Sequence, residues 1–249
     1  MSVSKTRLDQ ALAELGLAPN RTKAGAMIMA GQVKVKGKII DKAGYFVKSD
    51  DKIEISKLAR YVSRGGEKLA SANDKFKVNF QNKVVLDVGS STGGFTDFAL
   101  QHGARQVYAV DVGTGQLDYK LRINKKVIVM EKTDIRDIAK LDETPDIITI
   151  DVSFISLKLV LPAVARIAGD KTWIIAMAKP HFEADRVTAS KHKGVIKNET
   201  IRRDILKKVE AFIKTNFVVL DKVDSKVRGA KGNLERFYLL KKIKISVDF

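Results

Sequence analysis

Five polar side chains lie at the ends of successive short apolar runs, the places where ligand-binding groups of α/β proteins collect. They are Asp87, Asp111, Asp134, Asp151 and Lys179. A carboxylate at such a position can accept hydrogen bonds from ribose hydroxyls or from an amino group. A lysine can move a proton once burial or a neighbouring cation lowers its pKa. Because a polar residue ends each of five runs, one shared site is a better explanation than five unrelated turns.

A glycine-rich stretch follows the first of these acids, in the order strand, loop, helix. Its spacing is D-x-G-x-x-x-G-G. A dinucleotide fingerprint would need glycine where Ser91 stands, and a phosphate-binding loop would need G-K-[ST]. The pattern is typical of S-adenosylmethionine (SAM) sites, where an acid and bare backbone meet a cationic, amino-acid-bearing ligand. The candidate cofactor contacts are Asp87, Gly89, Ser90, Ser91, Thr92, Gly93, Gly94, Phe95, Asp111, Asp134 and Asp151.

Two of the later acids have specific predicted contacts with the cofactor. Asp111 follows Asp87 by 24 residues, close to the offset of about 20 at which an acid contacts ribose hydroxyls. We therefore expect Asp111 at the ribose and Asp134 near the adenine amino group. We expect Gly89 and Gly93 to let the backbone pass close to the cofactor.

The chemistry of methyl transfer limits which kind of atom can accept the methyl group. The chain has no cysteine, which the usual cytosine-C5 enzymes need. The [DN]-P-P-[FY] motif of base amino-methyltransferases is also missing, because the matching position, 151–154, has the sequence D-V-S-F. An oxygen nucleophile with a nearby base remains, and Lys68, Asp151, Lys179 and Glu235 could form that mixed-charge cluster. The alternative is that Lys179 only pairs with Asp151 to hold the end of the sheet.

The elements that would position these residues alternate between strand and helix. Apolar runs predict parallel strands at 84–88, 106–111, 127–130, 147–150 and 173–178, with helices at 157–167 and 201–213. A closing hairpin is predicted at 218–223 and 235–240. The helix at 201–213 should carry Arg202 and Arg203 on its polar side. The fold class is therefore α/β, a Rossmann-like SAM-dependent methyltransferase domain.

Residues 1–60 form a separate basic module, with twelve basic residues against six acidic ones. Thr6 to Asp9 has the form of a capping box before a first helix, and Asn20 is placed to cap a second. Alternation at 33–36 predicts a strand with valines inward and lysines outward. Lys68, beyond this module, should lie in the first turn of another helix. The candidate RNA contacts are Arg7, Arg21, Lys23, Lys34, Lys36, Arg64 and Lys231.

Charge is the most informative global property. Forty-six Lys and Arg residues against 29 Asp and Glu give a formal net charge of +17 over 249 residues. Such an excess favours a polyanionic partner, nucleic acid first. The absence of cysteine excludes disulfides, and three histidines without ligand spacing make a metal site unexpected. No apolar run approaches the length of a membrane span, and the N-terminal residues lack a signal peptide, so we expect a cytoplasmic protein.

Two resemblances follow from these motifs. The stretches 7–9, 20–21 and 30–37 resemble the S4 RNA-binding module. The stretches 63–68, 87–97, 151–156, 179–183 and 229–235 resemble the TlyA family of ribosomal RNA 2′-O-methyltransferases, some members of which are labelled hemolysins. The resemblance implies an FtsJ-like catalytic domain, SAM as cofactor, and a cytidine 2′-hydroxyl of ribosomal RNA (rRNA), or of a ribosomal subunit, as substrate. It also implies a catalytic tetrad of Lys68, Asp151, Lys179 and Glu235. Ser90 departs from the alanine of many relatives.

The expected organisation is an S4-like RNA-binding domain at 1–60, a linker and first helix at 61–79, and the methyltransferase domain at 80–249. Two other functions stay open at this stage. One is a non-catalytic RNA-binding or ribosome-assembly protein that keeps the fold without turnover. The other is a membrane-active hemolysin, suggested only by the family label.

Overall fold

The computed structural model describes residues 5–29, 32–55, 60–229 and 232–243. The chain divides into two compact units, Met1–Arg60 and Tyr61–Phe249. Each unit has its own buried apolar cluster. The two units are therefore described one at a time, the smaller first.

The first unit combines two helices with short antiparallel strands. Its core is built from the apolar faces of both helices and from Val33, Val35 and Val47, while Lys36 is exposed. The alternation predicted for this stretch is thus confirmed. Strands β2, β3 and β5 form a sheet in the order β3-β2-β5, and β1 pairs with β4. The elements are β1 (Lys5–Arg7), α1 (Leu8–Glu14), α2 (Arg21–Met29), β2 (Val33–Val35), β3 (Lys38–Ile40), β4 (Phe46–Lys48) and β5 (Ile53–Ile55).

The start of α1 differs from the capping box that the sequence predicted. Thr6 lies in β1, opposite Val47, so its hydroxyl does not cap the helix. Asp9 is instead buried in the first turn, where it accepts hydrogen bonds from Arg7 Nη2 at 2.9 Å and Arg21 Nε at 3.0 Å. These guanidinium groups hold the pKa of Asp9 far below its usual range. The capping of α2 by Asn20 is confirmed, since Lys23 N donates to Asn20 Oδ1 at 2.9 Å.

The second unit is a seven-stranded sheet with helices on both faces, in the order β11-β12-β10-β9-β6-β7-β8. The five strands β6 to β10 are parallel, and β12 runs antiparallel to both of its neighbours. The α/β class and the closing hairpin are thus confirmed. The elements are α3 (Arg64–Phe76), β6 (Val84–Val88), α4 (Gly94–Gln101), β7 (Gln106–Val110), α5 (Tyr119–Arg122), β8 (Val127–Met130), β9 (Ile147–Ile150), α6 (Leu157–Ile167), β10 (Trp173–Ala178), α7 (Pro180–Glu183), α8 (Arg186–Lys191), α9 (Glu199–Ile213), β11 (Phe217–Asp224) and β12 (Arg236–Lys242).

The central strands are buried on both faces because their apolar residues alternate between two clusters. Val84, Leu86 and Val88 pack with α6 and α9 on one face. Val85 belongs to the opposite cluster, with α3 and α4. A near-continuous apolar run is the expected signature of such a strand. Because the strands are parallel, their carboxyl ends meet at a single edge of the sheet.

Arg202 corrects the expected polar face of α9. It is buried, whereas its neighbour Arg203 is exposed. Position 202 stands three, four and seven residues before Ile205, Leu206 and Val209, so it shares their inward face. Ion pairs with Asp224 and Glu199 compensate the buried charge. An amphipathic pattern alone could not reveal these partners.

Candidate active site

The glycine loop between β6 and α4 lies against the segment that follows β9. Gly89 has φ +82°, and a Cβ there would lie 2.7 Å from the carbonyl oxygen of Asp151. Only glycine meets both conditions without strain. Ser91, also at positive φ, donates its backbone N–H to Asp111 Oδ2 at 2.8 Å. The loop is thereby fixed against the ends of both neighbouring strands.

Two residues expected to touch the cofactor have other roles in the structure. Asp87 has no solvent-exposed surface. Its carboxylate accepts hydrogen bonds from the hydroxyls of Thr96 at 2.7 Å and Thr149 at 3.0 Å, so it joins β6 to α4 and β9. Gly93 does have positive φ, but a Cβ there would overlap side chains of α5 and the preceding loop, not a ligand space. Asp87 and Gly93 therefore determine the conformation of the glycine loop through contacts within the protein.

A cavity of about 380 Å³ opens at the carboxyl ends of β6, β7 and β8. We call it the strand-end cavity. Gly89, Ser91, Asp111 and Asp134 line it together with Asp151. Apolar side chains from the loops after β7 and β9 complete its wall. The sequence predicted four acids at the strand ends, and the structure brings three of them, Asp111, Asp134 and Asp151, to this one cavity. Asp87 is the exception.

The acids of the strand-end cavity are held in place by short local bonds. Asp111 Oδ1 accepts the backbone N–H of Gly113 at 2.7 Å. Asp134 caps the short 3₁₀ turn Ile135–Asp137 and pairs with Arg136 at 2.7 Å. The Arg136 guanidinium lowers the pKa of Asp134. Asp134 is therefore an acceptor of fixed direction, which suits recognition of an amino group.

The part of the wall next to Ser91 depends on a residue that the sequence did not single out. Glu131 accepts backbone N–H groups of Gly115 at 2.9 Å and Gln116 at 3.1 Å, and it pairs with Arg122 at 2.6 Å. These donors lower the pKa of Glu131 to about 2. Gln116 in turn accepts the Ser91 hydroxyl at 3.1 Å. No motif marks Glu131, because its partners are the Arg122 side chain and backbone groups of an irregular loop.

A second cavity, of about 230 Å³, adjoins the first. We call it the lysine cavity. Lys68 from α3 and Lys179 from the end of β10 line it, together with Arg64 and, from the glycine loop, Thr92. The two cavities share Gly89, Ser91, Asp151 and Ser153. A ligand in one is therefore adjacent to a ligand in the other. The remaining predicted loop contacts on the lysine cavity are Ser90, Gly94 and Phe95.

Two lysine–carboxylate pairs occupy the boundary of the lysine cavity. Lys179 Nζ lies 2.6 Å from Asp151 Oδ1 and also donates to Ser153 Oγ at 2.8 Å. Lys68 Nζ lies 2.6 Å from Glu235 Oε2. Lys68 stands in the second turn of α3, one turn later than expected, and it is buried. All four tetrad candidates of the sequence are thus paired, two by two.

The charges of Lys179, Lys68 and Glu235 all affect the pKa of Asp151. Burial raises its pKa, while the charges of Lys179 and Lys68 oppose that shift and Glu235 adds to it. A carboxylate whose pKa is raised binds a proton more readily than usual. The pair is therefore suited to accept a proton released next to it.

The loops after β9 and β10 are also joined by contacts other than the Lys179–Asp151 pair. Glu183 accepts the backbone N–H of Leu157 at 2.8 Å and the hydroxyl of Ser156. It thereby caps α6 from outside, and burial raises its pKa. Phe154, 91% exposed at φ +63°, has its ring centroid 5.1 Å from that of Phe182. These contacts join segments distant in sequence, so sequence patterns do not predict them.

Most of the predicted RNA contacts lie on the first unit. Arg7 and Arg21 pair with Asp9, and Lys36 pairs with Asp51 at 2.7 Å. Within the described ranges, Lys23 and Lys34 make no salt bridge. Arg64 lies on the lysine cavity of the second unit. Lys231 lies outside the residues that the structure describes.

Neither a metal centre nor a membrane span is found in the described part of the chain. No three His, Cys, Asp or Glu side chains there are grouped to hold a metal ion. None of the described helices has the length and apolarity that crossing a membrane requires.

The strand order and the cavity at its edge define a Rossmann-like fold with a ligand site at the carboxyl ends of its strands. A SAM-dependent methyltransferase from Mesorhizobium loti shares this fold alone, with a TM-score of 0.52 and 13% identity over 71% of this chain and 97% of that one. The FtsJ-like methyltransferase model matches residues 61–242, and the S4 domain model matches residues 6–53. The chain therefore belongs to the FtsJ-like methyltransferase family and carries an S4 domain.

Individual relatives cover nearly the whole chain. YqxC of Bacillus subtilis (strain 168) is 42% identical over 94% of this chain and 85% of its own length. A Mycobacterium tuberculosis protein named 16S/23S rRNA (cytidine-2′-O)-methyltransferase TlyA is 33% identical over 95% of this chain and 90% of its own. A solved structure from Streptococcus thermophilus that carries the name hemolysin has a TM-score of 0.73 and 38% identity. It covers 98% of this chain and 90% of that one.

Proposed function

We propose that the protein transfers the methyl group of SAM to a ribose 2′-hydroxyl of rRNA, with cytidine as the target nucleoside. The observation that carries the proposal is the pair of lysine–carboxylate contacts, Lys179–Asp151 and Lys68–Glu235, next to the glycine loop. The name of the M. tuberculosis relative supports the substrate class. The S4 domain and the net charge of +17 support an RNA partner.

The residues of the strand-end cavity fit SAM. Asp111 and Asp134 offer oxygen acceptors for ribose hydroxyls and an adenine amino group, and the wall near Val88 and Ile135 is apolar. The space beside Gly89 stays open because no Cβ fills it. When bound, SAM would supply an electrophilic methyl carbon on a sulfonium. Asp151, on the boundary of both cavities, would face that positive charge.

The lysine cavity has the groups that an oxygen nucleophile needs. A ribose hydroxyl is a weak nucleophile until its proton is withdrawn. Asp151, paired with Lys179 at the boundary of the cavity, would accept that proton, and Ser153 fixes the lysine from a second direction. Lys68, oriented by Glu235, adds positive charge where an alkoxide would form. The residues thus orient the hydroxyl, take up its proton and stabilise developing negative charge.

The S4 unit would position the substrate. Lys23 and Lys34 are the candidates for phosphate contacts because they make no salt bridge within the described ranges. Arg7, Arg21 and Lys36 are held by carboxylates and would contact phosphates from fixed directions. Phosphate contacts orient an RNA without specifying its sequence. An rRNA substrate, free or within a ribosomal subunit, implies work in the cytoplasm.

The decisive experiment is methyl transfer in vitro. Purified protein would be incubated with labelled SAM and with 16S and 23S rRNA, or subunits, from cells lacking this protein. The expected product is a 2′-O-methylcytidine at a mapped position, absent with Lys179→Ala. Binding of SAM and RNA without product would favour the non-catalytic assembly protein. Methylation of a base instead of a ribose would also contradict the proposal.

A further inference from the structure

Arg202 is an almost completely buried cation that the catalytic scheme above does not use. Its guanidinium has 3% of its side-chain surface exposed. Nε donates to the carbonyl oxygen of Leu234 at 3.1 Å, and Nη2 donates to Asp224 Oδ1 at 2.5 Å. Nη1 donates to Glu199 at 3.2 Å. Arg202 thus connects α9 to the end of β11 and to the start of β12.

These contacts surround the backbone of Glu235 on both sides. Leu234, whose carbonyl Arg202 holds, comes directly before Glu235. Arg236, directly after it, donates to Asp224 Oδ1 at 2.7 Å, the same oxygen that Arg202 contacts. Ser225 N donates to the carbonyl oxygen of Glu235 itself at 2.9 Å. Two backbone carbonyls and the side chain of the next residue are therefore held around Glu235.

The side chain of Glu235 has little freedom left. It is 2% exposed, and Oε2 lies 2.6 Å from Lys68 Nζ. A Cβ at Gly229 would overlap Oε1, so the loop backbone closes over that side of the carboxylate. A small shift of the backbone at 234–236 would change the direction of the carboxylate, because Lys68 and the loop at Gly229 enclose it on two sides.

We infer that Arg202 is a positioning residue for the reaction: by holding Leu234 and Asp224, it aims Glu235 at Lys68. The inference rests on the proposed function, in which Lys68 acts at the lysine cavity. The competing explanation is a purely structural one, in which Arg202 only joins α9 to the sheet. The two explanations predict different effects of changing Arg202, because a positioning residue acts through Glu235 and a structural residue does not.

A double-mutant cycle on kcat separates them. Arg202→Lys keeps the charge but loses the planar fork that reaches three acceptors. We expect it to lower kcat by roughly tenfold or more, because small misplacements of catalytic groups are costly, with little change in SAM affinity. In a Glu235→Gln background the same change should lower kcat less than about twofold. Equal losses in both backgrounds overturn the inference. Arg203→Lys, an exposed neighbour that also pairs with Glu199, is the matched control.

A crystal structure of Arg202→Lys supplies a readout that needs no activity. The expected result is a Lys68 Nζ–Glu235 Oε2 distance beyond about 4 Å, the limit for an ion pair. An unchanged contact overturns the inference even if wild-type protein proves inactive, which would defeat only the proposed function. If Arg202→Lys does not fold, Asp224→Asn loosens the same cluster from the other side, and both readouts apply to it.

Discussion

Lys179 Nζ lies 2.6 Å from Asp151 Oδ1 because the two residues follow adjacent parallel strands. Ile150, the last residue of β9, is in register with Ala176 of β10. The sheet therefore delivers a cation and an anion to the same edge, one from each strand. In this register Asp151 follows on beside Met177, two residues before Lys179, so the long lysine side chain reaches back to the carboxylate. The chemistry of the pair can be tested by removing one partner.

Lys179→Ala should lower methyl transfer by at least about a hundredfold, the lower range for loss of general-base help. SAM affinity and melting temperature should stay near wild type, because the lysine cavity lies beside the strand-end cavity and not within it. Single-turnover rates, calorimetry with SAM and thermal denaturation measure the three quantities. Lys191→Ala, an exposed lysine on α8, is the control. Activity that falls only in step with stability would assign Lys179 a structural role.

Gly89→Ala should weaken SAM binding by more than backbone strain alone explains. The added Cβ would lie 2.7 Å from the Asp151 carbonyl oxygen at φ +82°, so the loop must move. Gly115→Ala provides the comparison, because its φ is +67° and no atom lies within 4 Å of the added Cβ. Calorimetry with SAM and thermal denaturation of both variants give the result. Equal losses in the two variants would show that the close approach at Gly89 does not matter.

Lys23→Gln combined with Lys34→Gln should reduce the salt dependence of RNA binding. Each phosphate contact contributes about 0.7 to 0.9 to the slope of log affinity against log salt. The double variant should lose roughly twice that amount while keeping its SAM affinity. Lys191→Gln, on the second unit, is the matched control. A slope that matches wild type would mean that these lysines do not face RNA phosphates.

Asp87→Asn should change how stability depends on pH. Burial raises the pKa of Asp87 to about 7, from 3.8. Between these values the unfolded chain has lost the proton that the folded protein still binds, so stability from this group falls as pH rises from about 4 to 7. The variant lacks this decline. Its melting temperature relative to wild type should therefore rise over that window, on the order of a few °C.

Thermal denaturation of both proteins between pH 4 and pH 8 makes the comparison. Asp170→Asn, at an exposed position, controls for the loss of a carboxylate as such. Two melting curves that run parallel across the window would contradict the raised pKa.

Sequence reasoning succeeded where one local pattern decides the outcome. The bounds of β8, β9, β10 and α6 match the runs predicted at 127–130, 147–150, 173–178 and 157–167. A strand covered on both faces has a near-continuous apolar sequence, and α6 has apolar residues at helical spacing. The clustering of Asp111, Asp134 and Asp151 followed from the parallel order of the strands. The chemistry of an oxygen nucleophile suggested the mixed-charge cluster, the family resemblance implied its role as a tetrad, and the structure adds how its members are paired.

The failures share one physical cause, which is that partners distant in sequence decide them. Thr6 and Asp9 looked like a capping box until β1 paired with β4. Asp87 faces two threonines and not a ligand. Arg202 is charged yet buried, since Asp224 and Leu234 supply its acceptors from another part of the sheet. No periodicity in a single segment contains this information.

The placement of β12 between β10 and β11 has a consequence for synthesis. The chain is made in order, and domains fold as their segments emerge. The S4 unit can complete its core early, but the large sheet keeps a gap until residues 236–242 arrive to fill it. Glu235 arrives with that strand, so Lys68 has no carboxylate partner at 2.6 Å before then. If the proposed function is correct, the S4 domain folds before the catalytic cluster is complete, and an incomplete nascent chain would bind RNA without modifying it.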